Sequence, residues 1–212
     1  MDCHICTKET QSFVDSKTNI TYYSCAECEY IFKSPQKYQS LTKQKERYDL
    51  HTNSEEDQGY IAYFQRFLDF LLPQISDVKS ALDFGCGKST ILATMLEKEG
   101  ISCDYYDPIY HPDTLEANKV YDLIVSTEVF EHLSQPKEVF ASLVKRLKKG
   151  GYLAIQTQFH SNSIETFKMW YYHQDPTHIV FFRPKTFEIL AKMYGCRICS
   201  TNDKNMVLIE KI

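Results

Sequence analysis

The chain has 212 residues, of which 43% are hydrophobic and 25% are charged. These fractions match those of ordinary globular domains, so they exclude a disordered tail or a low-complexity scaffold. The formal net charge of −4 does not indicate the basic surface of a nucleic-acid-binding protein. Eight cysteines are many for this length, and their positions are informative.

The first residues contain neither the basic region nor the apolar region of a secretory signal. The longest apolar runs are far shorter than the roughly 20 residues that a transmembrane helix needs. We therefore expect a cytoplasmic protein without a membrane segment. Cysteines stay reduced in the cytoplasm, so paired cysteines there indicate a metal site or chemistry rather than disulfides.

Four of the cysteines form two pairs near the N-terminus. Cys3-x2-Cys6 is followed, after 18 residues, by Cys25-x2-Cys28, a spacing typical of two zinc knuckles. Four thiolates suit tetrahedral Zn²⁺, and a metal stabilises a segment too short to build its own core. We predict a zinc-ribbon-like module over residues 1–34 with a structural Zn²⁺ on these cysteines. The alternative is four unrelated buried cysteines.

This module departs from common zinc ribbons in sequence and in charge. Ribbons often carry glycine after the second cysteine of each pair, where this chain has Thr7 and Glu29. Residues 1–34 contain three lysines against five acidic residues, whereas ribbons that bind nucleic acid are usually basic. We therefore favour a structural or substrate-covering role over RNA binding. Cys196 and Cys199 share the spacing but lie in a predicted strand, which favours packing.

Residues 35–74 are predicted to form a helical connector or lid. Apolar side chains recur with helical spacing over residues 38–48 and again over residues 57–72. Pro73 ends the second pattern.

From residue 75 onward, predicted strands alternate with predicted helices. The strands are residues 80–84, 101–106, 121–126, 152–157, 196–201 and 205–211, and the helices are 89–99, 136–149 and 184–194. The second of these helices begins at Pro136 and ends in basic residues before Gly150. Such alternation predicts an α/β domain with a doubly wound, mostly parallel sheet over residues 75–212.

The turn after the first of these strands allows three interpretations. A phosphate-binding P-loop needs a glycine where this chain has Leu82. A dinucleotide-binding turn needs a glycine at Thr90. In the third interpretation, Asp83 at the strand end receives the cationic amino-acid end of S-adenosylmethionine, and Gly85 and Gly87 let the ligand approach the backbone. An acidic residue 24 positions later, Asp107, can take the ribose hydroxyls.

Residues 82–87, 106–108, 121–132 and 147–151 together resemble class I S-adenosylmethionine-dependent methyltransferases. Within this class, the chain resembles the branch that is similar to the ubiquinone-biosynthesis methyltransferases. The resemblance covers about residues 75–212. A cysteine pair module ahead of such a domain also looks like a bacterial family of uncharacterised methyltransferases, in which a segment similar to residues 51–60 links the two parts. Ser89 stands where the family has its third glycine.

The expected cofactor-binding residues lie at the ends of the first three predicted strands. They are Asp83, Phe84, Gly85, Cys86, Gly87, Asp107, Pro108, Thr127 and Glu128.

The run Glu128-x-x-Glu131-His132 would share one face of a helical turn. The resemblance to the ubiquinone-pathway enzymes implies a Mg²⁺-type site here that would orient a hydroxyl for attack. Two alternatives remain open: a helix start whose acids suit the dipole, or His132 acting as a general base without metal.

An aromatic stretch over residues 170–178 contains the only tryptophan and two histidines. It follows a predicted strand, so it should cross the carboxyl edge of the sheet, where ligands bind in open α/β folds. His173 or His178 could remove a proton, and Trp170 or Tyr171 could stack on an acceptor. The alternative is that the stretch only caps the sheet. The candidate catalytic residues are thus Glu131, His132, His173 and His178.

The sequence therefore predicts a methyltransferase that acts on a small molecule or biosynthetic intermediate. The alternative is an RNA methyltransferase with a zinc-bearing recognition module, against which the acidic module and the absence of an Asn/Asp-Pro-Pro-Tyr motif argue. A third hypothesis is a cofactor-binding module that has lost catalysis.

Overall fold

The computed structural model describes residues 1–49 and 58–212. Residues 51–57 of the predicted linking segment, including the predicted helix start at residue 57, lie outside the described residues. Among the helices that are described, none is long and apolar enough to span a membrane.

A six-stranded sheet forms the centre of the larger part. Its strands are β4 (Ser80–Phe84), β5 (Ser102–Tyr106), β6 (Tyr121–Thr127), β7 (Leu147–Gln156), β9 (Cys196–Thr201) and β10 (Met206–Lys211) in chain order. Their spatial order is β5-β4-β6-β7-β10-β9. The first four are parallel, and β10 runs antiparallel to both neighbours. This mixed, mostly parallel sheet confirms the predicted fold class.

Helices cover both faces of this sheet, because alternate strand residues point to opposite faces. Leu82 and Ile124 belong to a core with α4 (Pro136–Arg146) and α6 (Pro184–Met193). Ala81 and Leu123 belong to a second core, which α2 (Gln58–Leu71) and α3 (Ile91–Lys98) complete. The doubly wound arrangement therefore follows from near-continuous apolar strands.

A second sheet joins the N-terminal module to the rest of the chain. It contains β1 (Gln11–Asp15), β2 (Ile20–Ser24) and β3 (Ile31–Lys33), and its fourth strand is β8 (Val180–Phe181). Two short helices, α1 (Leu41–Asp49) and α5 (Ile164–Met169), complete the described elements, apart from short 3-10 turns. The module's buried cysteines belong to the same apolar core as α4 and α6.

One predicted helix is too long. The helix expected over residues 136–149 ends at Arg146, and β7 already begins at Leu147. Gly150 and Gly151 do not terminate the helix but lie within the strand, where the pairing with β6 shifts register. A side chain at Gly151 would meet the backbone oxygen of Lys148 at 2.9 Å, so this bulge requires glycine. Lys145 and Arg146 of the basic run therefore lie in the last turn of the helix, as predicted, whereas Lys148 and Lys149 belong to the strand.

Candidate functional site

A cavity of about 980 Å³ opens at the carboxyl ends of β4, β5 and β6. The loops after these strands form one wall, and α1 and α2 form another. All nine residues expected to bind the cofactor line this cavity: Asp83, Phe84, Gly85, Cys86, Gly87, Asp107, Pro108, Thr127 and Glu128. The predicted connector thus lies over the edge of the sheet where open α/β folds bind ligands.

The loop after β4 is held in shape by Asp107. One carboxylate oxygen of Asp107 accepts the Gly87 N–H at 3.1 Å, and the other accepts the N–H groups of Ile109 and Tyr110. Gly87 has a φ of 66°, and the space where a side chain would lie is open. A ligand can therefore approach the backbone at Gly87.

Asp83 is a buried carboxyl group at the end of β4, with 2% of its surface exposed. Burial and the neighbouring charge of Asp107 raise its pKa to about 7. A cationic group beside Asp83 would favour the ionised carboxylate again. The site therefore suits the ammonium-bearing end of S-adenosylmethionine.

Glu128 follows β6 in the left-handed backbone region, with a φ of 53°. One carboxyl oxygen of Glu128 accepts a hydrogen bond from the Tyr63 hydroxyl at 2.7 Å. The other lies 3.0 Å from the Tyr172 hydroxyl, which also contacts Glu131 Oε1 at 2.5 Å. Burial and the nearby Glu131 raise the pKa of Glu128 to about 8. A strained, buried acid at this edge of the cavity is typical of a functional residue.

Glu131 and His132 lie on a 3-10 turn, Phe130–His132, directly after Glu128. His132 lines the cavity, whereas Glu131 is fully buried beneath it and burial raises its pKa. The Nδ1–H of His132 donates to the Thr177 carbonyl at 3.0 Å, so Nε2 carries the lone pair of the neutral ring.

His178 comes to the same place from the other side of the cavity. Its ring centroid is 4.8 Å from that of His132, and its Nδ1–H donates to the Tyr172 carbonyl at 2.7 Å. Ligand atoms of Glu131, His132 and His178 lie within 4.8 Å of one another. Two imidazoles and one carboxylate are not the oxygen ligands that Mg²⁺ prefers. We assign no metal to this group.

His173 is placed away from the cavity. It is 2% exposed, and its ring nitrogens contact the Trp170 carbonyl at 2.5 Å and Asp15 of β1 at 3.2 Å. Burial alone would raise the pKa of Asp15, but hydrogen bonds from Thr18, Lys17 and His173 lower it. Sequence reasoning grouped His173 with His178, but the structure gives His173 a partner in the N-terminal module.

The two predicted stacking residues do not line the large cavity either. Trp170 packs on Tyr172, with ring centroids 5.0 Å apart, and belongs to a small apolar cluster with Phe167 and Phe181. Tyr171 is 70% exposed and lines a separate cavity of about 300 Å³. The aromatic stretch therefore contributes to the large cavity only through its last residues.

The four N-terminal cysteines converge as predicted from their spacing. The Sγ atoms of Cys3 and Cys28 are 3.4 Å apart, as are those of Cys6 and Cys25, well beyond a disulfide bond of about 2.05 Å. Sulfurs of a tetrahedral Zn²⁺ site lie about 3.8 Å apart. The hydrogen bond from Cys28 lowers the pKa of Cys3 to about 5. The donor set therefore fits Zn²⁺.

Both knuckles turn through a left-handed residue directly after their second cysteine. Thr7 has a φ of 61° and Glu29 a φ of 57°, and each N–H donates to the carbonyl of the first cysteine of its pair. These are the positions at which zinc ribbons often carry glycine, so the geometry is kept although the residue differs. Glu29 in addition accepts a hydrogen bond from Arg183 at 2.6 Å.

Residues 55–201 match the family model described as a methyltransferase domain. The chain belongs to this methyltransferase-domain family. No protein of curated function matches the sequence significantly.

Solved methyltransferase structures share the fold of this methyltransferase domain. An O-methyltransferase family protein from Burkholderia thailandensis is 12% identical, with a TM-score of 0.54 over 79% of this chain and 62% of its own. The mitomycin 7-O-methyltransferase MmcR is 12% identical, with a TM-score of 0.52 over 74% of this chain and 59% of its own. The chain thus spans less than two thirds of either protein.

DesVI from Streptomyces venezuelae is 13% identical, with a TM-score of 0.53 over 82% of this chain and 100% of its own. At this level of identity, these structures are evidence for the methyltransferase fold alone.

Several residues that contact Glu128 or line the cavity were not predicted from the sequence. Tyr63 and Tyr172 bind Glu128, and Tyr38 and Tyr48 line the cavity from the connector. Their one signal in the sequence is the unusual number of tyrosines, 15 in all. That number does not say which tyrosines face a ligand.

Proposed function

We propose that the protein is an S-adenosylmethionine-dependent methyltransferase that acts on a small molecule. The family match supports the reaction class. The observation that carries the proposal is one continuous cavity that joins Asp83 and Asp107 to His132 and His178. Its volume of about 980 Å³ has room for a cofactor and a small acceptor together.

When bound, S-adenosylmethionine supplies an electrophilic methyl group on a sulfonium. We propose that Asp83 binds the ammonium end, that Asp107 takes the ribose hydroxyls, and that Gly87 allows close approach. His132 or His178 would accept the proton of the attacked group through Nε2. Because the methyl group is already activated, positioning of the acceptor would supply most of the rate.

We further propose that the attacked group is a hydroxyl on an aromatic acceptor. The resemblance to the ubiquinone-biosynthesis branch suggests this chemistry. Tyr38, Tyr48, Tyr60 and Tyr63 line the cavity together with Leu133 and Ile179, and such a surface suits a planar apolar ring with a polar substituent.

The fit of the four N-terminal cysteines to a tetrahedral site supports the proposal that Cys3, Cys6, Cys25 and Cys28 hold a structural Zn²⁺. We expect one zinc per chain by elemental analysis of the purified protein and its loss in Cys25→Ser. Zinc retained by Cys25→Ser at full stoichiometry would contradict this site.

The proposed reaction is tested first at the cofactor site. We expect calorimetry to show binding of S-adenosylhomocysteine and a loss of at least tenfold in affinity for Asp83→Ala and Asp107→Ala. Asp113→Ala is the matched control, because Asp113 is exposed. Absence of binding at millimolar ligand, or equal affinity in all three variants, would exclude the proposed function.

The acceptor is sought with cofactor labelled with tritium in the methyl group. Fractionated small-molecule extract and total RNA are offered separately to the protein. We expect label in the small-molecule fraction only, and label in RNA would instead support the RNA methyltransferase alternative.

A further inference from the structure

Lys33 is a lysine that the fold buries almost completely. It ends β3, and only 1% of its surface is exposed, whereas lysines are almost never fully buried. Its Nζ donates to the carbonyl of Pro176 at 3.3 Å, and its backbone N–H donates to the carbonyl of Ile179 at 2.8 Å. Lys33 therefore donates from its side chain to a residue that precedes His178 and from its backbone to the residue that follows His178.

The segment that Lys33 bonds forms part of the cavity wall. Asp175, Thr177, His178 and Ile179 all line the large cavity. The segment is also tied to the opposite side, because the carbonyl of Thr177 accepts the Nδ1–H of His132. Lys33 thus connects the N-terminal module to the wall that carries His178 and that bonds to His132.

A buried ammonium is costly when its only purpose is packing. An apolar side chain of similar length, such as methionine, would fill the same volume without the desolvation penalty of a charge. Burial lowers the pKa of Lys33 to about 8, so the ammonium still predominates at neutral pH. The retained charge calls for a role that methionine does not supply.

The surroundings of His178 indicate that role. Burial is the main cause that lowers the pKa of His178 to about 4, and the charge of Lys33 adds only a small part, so His178 is neutral at physiological pH without it. Asp175 opposes this lowering, but Asp175 is itself paired with Arg47 at 3.0 Å. The only other ring packed closely on His178 is that of Tyr172, among the described residues, at 4.1 Å between centroids.

We infer that Lys33 is a positioning residue that holds residues 176–179 against the cavity and so keeps His178 in one tautomer, with Nδ1–H on the Tyr172 carbonyl and the lone pair on Nε2. This inference rests on the proposed function only in taking the cavity as the place where the acceptor binds. Lys33 does not touch the acceptor or the cofactor. Lys33 acts through His178, which would contact the acceptor.

The test compares Lys33→Met and Lys33→Arg with Lys17→Met, which removes an exposed lysine of the same module. In the full-length, zinc-loaded protein at neutral pH, proton–nitrogen NMR reports the tautomer of His178, whose signals are assigned with His178→Gln. We expect Lys33→Met to move the Nδ1 and Nε2 signals of His178 towards the averaged values of a mixture of both tautomers. Lys33→Arg, which keeps a donor for Pro176, and Lys17→Met should leave these signals unchanged.

Hydrogen exchange of the same variants tests the positioning directly. The amides of residues 177–179 all donate hydrogen bonds, and we expect them to exchange at least tenfold faster in Lys33→Met than in Lys17→Met. Should Lys33→Met not fold, Lys33→Leu gives the same comparison, because it also removes the donor for Pro176. It should change the His178 signals and the exchange in the same way.

A folded Lys33→Met or Lys33→Leu with unchanged His178 signals and unchanged exchange would overturn the inference. Affinity for S-adenosylhomocysteine is measured in parallel and should stay within twofold of the unsubstituted protein. If no variant binds it, the proposed function fails, while the NMR comparison still decides the role of Lys33.

Discussion

Val129 packs directly on the backbone of Gly85, so that a Cβ at Gly85 would lie 2.3 Å from Val129 Cγ2. Gly85 also has a φ of 83°, which side chains rarely adopt. We expect Gly85→Ala to lower the free energy of unfolding by about 2–3 kcal/mol, from overpacking and backbone strain together. Urea denaturation measures this change.

The matched variant is Gly87→Ala, because a Cβ at Gly87 meets nothing within 4 Å. It should cost only about 1 kcal/mol, from its φ of 66°. Its larger effect should be on S-adenosylhomocysteine affinity, because the added methyl group enters the space left for the ligand. Equal stabilities of the two variants would contradict the assignment of Gly85 to packing and of Gly87 to the approach of the ligand.

Binding of the cofactor should depend on pH through Asp83. Its pKa is raised to about 7 in the free protein, so the carboxyl group is largely protonated below pH 7. The ammonium group of S-adenosylhomocysteine would bind the ionised form better, so affinity should fall as the pH decreases below 7, by at most tenfold per pH unit. Calorimetry with S-adenosylhomocysteine between pH 5.5 and 8 measures this slope.

Asp83→Asn provides the control for that slope, because its amide does not titrate. It should bind more weakly at pH 8 and show a nearly flat profile. A profile that keeps its slope in Asp83→Asn would assign the titration to another group, such as Glu128, whose pKa is about 8.

His173→Gln should affect stability and leave the methyltransferase site intact. His173 and Asp15 are 3.2 Å apart with side chains only 1% and 2% exposed, and breaking a buried pair costs about 3 kcal/mol. Denaturation should show this loss, with S-adenosylhomocysteine affinity unchanged. A folded His173→Gln protein of normal stability that no longer transfers methyl groups would restore His173 as a catalytic candidate.

Thr7 and Glu29, the left-handed residues of the two knuckles, should respond differently to substitution by glycine. Thr7 is exposed with a φ of 61°, so Thr7→Gly should raise the melting temperature, because it removes about 1 kcal/mol of strain. Glu29→Gly removes similar strain but also the 2.6 Å ion pair with Arg183, so no gain is expected. A higher melting temperature for Glu29→Gly than for Thr7→Gly would show that this ion pair contributes nothing.

The sequence was sufficient to predict the sheet and the edge at which the large cavity opens. Strands such as β6 are nearly continuous apolar runs, and Gly85 and Gly87 mark the turn after β4, so local patterns determine their placement. The spacing of Cys3, Cys6, Cys25 and Cys28 likewise predicted their convergence, because each pair lies in one tight turn. The domain limits at residues 34 and 74 and the cytoplasmic location stay predictions.

The residues that sequence reasoning missed depend on contacts between distant segments. The strand β8 has only two residues, and its pairing with β3 leaves no periodic pattern to read. The burial of Lys33 depends on a loop 143 residues away, so no local pattern predicts it. His173 and His178 are neighbours in sequence, and only the tertiary fold turns one towards Asp15 and the other towards the cavity.

The shared sheet also has a consequence for the order of folding during synthesis. The strands β1, β2 and β3 leave the ribosome well before the fourth strand of their sheet, β8, and the carbonyl of Cys28 accepts a hydrogen bond from the Thr186 hydroxyl across 158 residues. Contacts this distant in sequence form slowly and leave an open strand edge meanwhile. A metal bound by the cysteine pairs would hold the nascent module together until the rest of the chain arrives.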